Sequence, residues 1–113
     1  MPFRTSIQLN KKHNEGSRAE HLAKAYLSKK GYYVFTKDFG PIDIIAFDPK
    51  TEHTIYVDVK AVSYRSDGSI ISRSRPKKLG KIIIDILNVD MKKNKIWFRP
   101  YKRGKTPPKD NLI

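Results

Sequence analysis

Residues 41–62 read PIDIIAFDPKTEHTIYVDVKAV. Two apolar runs, Ile42–Phe47 and Thr54–Val62, flank Asp48-Pro49-Lys50, which is turn chemistry. The pattern predicts a β-hairpin. Alternation along the second run puts Ile55, Val57, Val59 and Ala61 on one face and Tyr56, Asp58 and Lys60 on the other. Asp58 and Lys60 then project together, ~7 Å apart along the strand. Asp43 lies in the first run, and a hairpin pairing the two runs can set its carboxylate beside that of Asp58.

Outward from the hairpin, Ser17 stands where a helix N-cap belongs and Glu20 follows at capping-box spacing. Ala19, Leu22, Ala23, Tyr26 and Leu27 recur at helical period, and Gly31 follows Lys29 and Lys30 as a stop. These residues predict a helix over Ser17–Lys30. Residues 1–15, polar and carrying Lys11, Lys12 and His13, read as a basic flexible arm. Tyr32–Thr36 reads as a strand, with a break at Asp38-Phe39-Gly40. Downstream, Ser63–Ser74 reads as a polar loop and Pro76–Gly80 as a turn of helix. Lys81–Val89 and Lys95–Tyr101 read as two further strands, and residues 104–113 as an irregular tail. The expected fold class is α/β (α+β): one domain over residues 16–103, a mixed sheet of about five strands with an N-terminal helix.

Composition narrows the function classes. The chain has 113 residues, with 24 Lys+Arg against 11 Asp+Glu, a net charge of +13. Such self-repulsion fits a polyanionic partner, nucleic acid before membrane, because no basic amphipathic helix of the membrane-surface type is present. With no cysteine, disulfide frameworks and Cys-based zinc sites are excluded. No apolar run has the length of a membrane span or signal peptide, so the expected location is the cytoplasm, or the host's for a phage-encoded protein. There is no P-loop, and His13, His21 and His53 lack metal-ligand spacing.

Two close carboxylates repel, and one takes up a proton unless a cation joins them. Mg2+, with Mn2+ as the alternative, meets that demand with oxygen ligands and leaves positions for water and phosphate. The ion can activate water, and a neighbouring lysine can hold that water or stabilise the charged phosphate. Asp43, Asp58 and Lys60 therefore supply what phosphodiester hydrolysis needs. The competing structural reading makes Asp58 and Lys60 a surface ion pair.

These residues resemble the PD-(D/E)xK nuclease superfamily. Pro41-Ile42-Asp43 is similar to its first half, with one extra residue between Pro and Asp, and Asp58-Val59-Lys60 matches the second half. Gly16-Ser17-Arg18-Ala19-Glu20 resembles the glutamate-bearing first helix of archaeal Holliday-junction resolvases, so the likeness covers about residues 16–62. The resemblance implies that Asp43, Asp58, the Val59 carbonyl and Glu20 bind metal, and that Lys60 positions the water. It also implies a substantial helix after the Asp58 strand, where Ser63–Gly80 shows little helical periodicity.

Arg65, Arg73, Arg75, Lys77, Lys78 and Lys81 follow the site and can track a phosphate backbone. A second basic group, Lys92 to Lys105, adds salt-sensitive affinity without base recognition. The expectation is a Mg2+-dependent DNA endonuclease, structure-specific and resembling a junction resolvase. A homing or restriction-type endonuclease is the second reading. A non-catalytic DNA- or RNA-binding protein is the reading from another class. A domain this small needs two copies to cut both strands symmetrically, which predicts a homodimer acting on DNA, branched DNA included.

Overall fold

The computed structural model describes residues 3–71, 77–99 and 109–112, with side chains over 16–35, 40–71, 77–99 and 109–112. A helix, α1 (Phe3–Lys29), leads into an antiparallel meander of β1 (Tyr33–Phe39), β2 (Ile42–Asp48) and β3 (His53–Ala61). Two short strands, β4 (Ser63–Tyr64) and β5 (Ile70–Ile71), form a separate hairpin. The chain then returns through β6 (Lys77–Leu79), β7 (Ile82–Asp90), β8 (Lys95–Arg99) and β9 (Asp110–Asn111). The main sheet has the order β1-β2-β3-β7-β8-β9, with β6 also paired to β7. The β3–β7 pair is parallel and every other pair is antiparallel, so the sheet is mixed.

Alternation decides the layers. From α1, Ala19, Ala23 and Leu27 are buried against Ile44, Ala46, Val57, Val59, Leu87, Val89 and Ile96 of the sheet. The alanines let the helix backbone approach the strands closely, and α1 packs chiefly over β3. Gly31, at φ 100°, ends the helix: Tyr32 N–H donates to the Leu27 carbonyl at 3.0 Å and Gly31 N–H to the Ser28 carbonyl at 3.0 Å. The expected apolar stripe and glycine stop are both present.

Several expectations change. The helix begins at Phe3 rather than Ser17, so residues 3–15 are helical and not an arm, and Ser17 is not a cap. A serine cap is a local preference worth ~1 kcal/mol, and no proline between residues 3 and 40 stops the helix upstream of it. Among the described residues the main sheet has seven strands where about five were expected, and β4–β5 add a separate hairpin, because strands this short leave little periodicity to read. Residues 77–79 extend against β7 instead of making a helical turn. The tail carries β9, where an irregular end was expected. Asp110 explains it: the Tyr26 hydroxyl donates to Asp110 Oδ2, and Lys30 Nζ lies 3.3 Å from the same oxygen. These contacts hold the Asp110 carboxyl below its ordinary range, the Tyr26 hydrogen bond foremost. Among the described residues, no helix is long and apolar enough to cross a membrane.

Leu27 is fully buried at the centre of the helix–sheet contact. Leu27→Ala should cost about 2–5 kcal/mol, read as a lower urea midpoint with an unchanged slope.

Candidate functional site

In the β2–β3 ladder Ile44 faces Val57 and Ile45 faces Tyr56. One step further, the same register sets Asp43 opposite Asp58. There the ladder stops, and the Asp43 side chain takes the place of a backbone acceptor: Val59 N–H donates to Asp43 Oδ2 at 2.8 Å. A strand residue directs its N–H and C=O to the same edge. The Val59 carbonyl therefore leaves β3 on the side where Asp43 sits.

Asp58 is only 6% exposed, and Lys60 Nζ lies 3.5 Å from its Oδ1. The Lys60 side chain is 43% exposed, so its head meets solvent above a carboxylate set low in the face. Burial pushes the Asp58 carboxyl up to about 6; the Lys60 ammonium opposes the rise, and a hydrogen bond and charge from Asp43 add to it. The Asp43 hydrogen bond and charge at Asp58 mean that the two carboxyls lie side by side. Such a pair gains from a cation able to bind both.

Cross-strand partners place the rest of this face, which is the one turned away from α1. Asp58 neighbours Ile86, and Ile86 neighbours Arg99. Lys60 neighbours Asn88, and Asn88 neighbours Trp97, over whose ring Lys109 Nζ sits at 4.3 Å. Arg99, Trp97 and Lys109 were missed as site-face residues; their parity is visible in the sequence, but their neighbours are set by the β7–β8 register.

Other predicted residues separate. Glu20 lies in the interior of α1, where a capping-box role no longer explains it. Among the described residues no group of three His, Cys, Asp or Glu is placed to hold a metal ion. Arg65 braces its own hairpin, its guanidinium donating to the Ile70 carbonyl at 3.2 Å. Lys77, paired with Ile84, lies on the Asp58 face; Lys78, paired with Ile83, lies on the other. Lys81 is exposed in the β6–β7 turn, and Arg73 and Arg75 lie outside the described residues. The β4–β5 hairpin after Lys60 is itself anchored. The Tyr64 hydroxyl donates to the buried Asp90, and Lys92 and Lys93 lie 5.1 and 5.2 Å from the Tyr64 ring centre.

Comparison with known proteins gives the family and the fold. Residues 19–88 match the family described as "Uncharacterised protein family UPF0102". A UPF0102 protein of Carboxydothermus hydrogenoformans is 25% identical over 109 residues, 77% of this chain and 91% of that protein. One from Pelobacter propionicus is 36% identical over 59 residues, 49% of this chain and 42% of that protein. One from Chlorobium phaeobacteroides is 33% identical over 75 residues, 63% and 58% of the two chains. The match thus spans less than two thirds of the Pelobacter and Chlorobium proteins' own length. Among solved structures, a bacterial homing endonuclease superposes with a TM-score of 0.63 over 92% of this chain and 79% of that one, at 13% identity. The fold is restriction-endonuclease-like, as the PD-(D/E)xK resemblance implies.

The raised Asp58 pKa has a sign for stability. Between the ordinary value of 3.8 and about 6 the folded state holds the proton more tightly, so stability falls as pH rises through that window. Without divalent cation, Asp58→Asn should raise the unfolding temperature at pH 7, and this gain should vanish below pH 4. Thermal melts across that range check it.

Proposed function

The chain belongs to the UPF0102 family, and on that footing we propose that it is a divalent-metal-dependent endonuclease hydrolysing DNA phosphodiester bonds. The observation that carries this reading is the opening of the sheet at Asp43. It gathers two carboxylates, the Val59 carbonyl edge and the Lys60 ammonium at one point. The donor set is all oxygen, two neighbouring carboxylates with the Asp58 pKa raised, and it suits Mg2+ or Mn2+. Asp43, Asp58 and the Val59 carbonyl would hold the ion, which when bound supplies Lewis-acid polarisation and a more acidic water. Lys60 holds the attacking water or steadies the phosphate oxygen on which charge builds. Water oxygen bonds to phosphorus as one ester P–O bond breaks, and the leaving oxygen departs as the alcohol.

The net charge of +13 supplies sequence-independent affinity for the phosphate backbone. Lys77 and Arg99, on the same face as Asp58, are suited to phosphate contact. Junction or other branched DNA is the substrate we favour, since no base-reading module was recognised in the sequence. The homing endonuclease likeness supports a second reading, cleavage at a defined site. A homodimer would bring two such sites to two strands.

Plasmid and a four-way junction, each incubated with Mg2+, Mn2+ or EDTA, test the proposal. Cleavage is expected with metal and none with EDTA. Asp58→Ala should reduce cleavage at least 100-fold while DNA affinity holds or rises, because a negative charge near the phosphates is removed. Absence of metal-dependent cleavage of any substrate would leave a binding protein. Loss of binding in Asp58→Ala would make the residue structural.

A further inference from the structure

Tyr33 and Phe35 are 62% and 56% exposed, two large rings turned to solvent on the outer strand of the sheet. Their register gives them a context. Phe35 pairs with Ile45, Ile45 with Tyr56, Tyr56 with Ile84, and Ile84 with Lys77. Tyr33 pairs with Phe47 in the next row. Directly paired residues share a face, so Tyr33, Phe35, Phe47 and Tyr56 all lie on the face of Asp43 and Asp58. Phe47 and Tyr56 are half-buried. Phe35 and Tyr56 are each diagonal neighbours of Asp43, ~7–8 Å away between Cα atoms.

The face is divided. The exposed rings Tyr33 and Phe35 lie on β1, Lys60 lies on β3 beside the carboxylates, and Lys77 and Arg99 lie on β6 and β8, where the ring on the face, Trp97, is buried beneath Lys109. The two carboxylates stand at the boundary. A base-paired duplex presents its charged backbone outward and hides its base faces. An unpaired strand offers phosphates along one side and bare base faces along the other, which complements a face split in this way. We infer that this face takes a DNA strand whose bases are unpaired at the scissile phosphate. The bases stack on Tyr33 and Phe35, and the phosphates run over the lysine and arginine side. Stacking is tolerant of sequence because every base has a flat face. This narrows the substrate class of the proposed nuclease and rests on that reading for the cutting step, although the strand-binding step stands without it.

The test uses the full chain in EDTA, so that binding is read apart from cleavage. Fluorescence anisotropy compares a labelled oligothymidylate with a blunt duplex of the same length at one salt concentration. Tyr33→Ala/Phe35→Ala should weaken oligothymidylate binding about 10-fold or more and duplex binding less than about 2-fold. Phe35→Trp should keep the affinity, with tryptophan emission quenched on adding oligothymidylate. Lys77→Ala should weaken both ligands alike. Both rings are exposed, so the double variant should fold, and an unchanged urea midpoint verifies that.

Equal loss for the two ligands, or no loss for either, would overturn the inference. So would a wild-type dimer that the double variant turns monomeric in sedimentation, because the rings would then belong to a subunit interface. The two proposals fail separately. If metal-dependent cleavage is absent but the single-strand loss is seen, the nuclease reading falls and the strand-binding surface stands. If duplex and single strand are cut equally by wild type and variant, the nuclease stands and this inference falls.

Discussion

One hydrogen bond makes the site possible. Where β2 parts from β3, the amide of Val59 would face an empty edge, and an unpaired buried amide costs ~1–3 kcal/mol. Asp43 accepts it through its side chain at 2.8 Å. The sheet can then open without leaving a donor stranded, and the oxygen that closes the gap belongs to a carboxylate. Asp58, on the next strand, is buried beside it, so one backbone need brings two acids together. The cost shows in the raised Asp58 pKa, a group whose charged form is kept poorly solvated. Function of the kind proposed here needs that tension, since a cation resolves it.

The scaffold holds this point from both ends. The Gly31 stop aims the chain from α1 into β1 and sets Leu27 and Tyr32 against the same core. Beyond Lys60, Val62 N–H donates to the Val89 carbonyl at 2.9 Å, and Tyr64 reaches the buried Asp90. Burial of the Tyr64 hydroxyl, with its bond to Asp90, pushes its pKa up to about 12, so it remains a donor at any physiological pH. At the far edge, β9 is fastened to both β8 and α1.

What could be read from sequence divides by range. The hairpin, the alternation that pairs Asp58 with Lys60, and the Ala19–Ala23–Leu27 stripe are local patterns. They were legible because a few residues carry each. The start of α1 was not, because Ser17 and Glu20 imitate a capping box in a segment that is helical on both sides. The Asp43–Asp58 pairing was legible as a condition on register, which Ile44 against Val57 meets. Trp97, Arg99 and Lys77 could not be placed, because their positions follow from pairings with β7 that no local pattern encodes. Strands as short as β4, β5 and β9 fall below the length at which period 2 can be seen.

The division of faces has a consequence for how such a chain can change over generations. On β3 the odd positions Val57 and Val59 face α1, and the even positions Tyr56, Asp58 and Lys60 face outward. On β2 the parity is reversed, with Ile44 and Ala46 inward and Asp43 and Ile45 outward. The outer face also packs, since Ile84 and Ile86 on it are almost fully buried, so the positions free to retune what it meets are the exposed ones such as Tyr33, Phe35 and Lys77. A lineage built on this sheet can explore new ligands at those exposed rim positions, while the two isoleucines that flank Asp58's strand tie the centre of the same face to the fold.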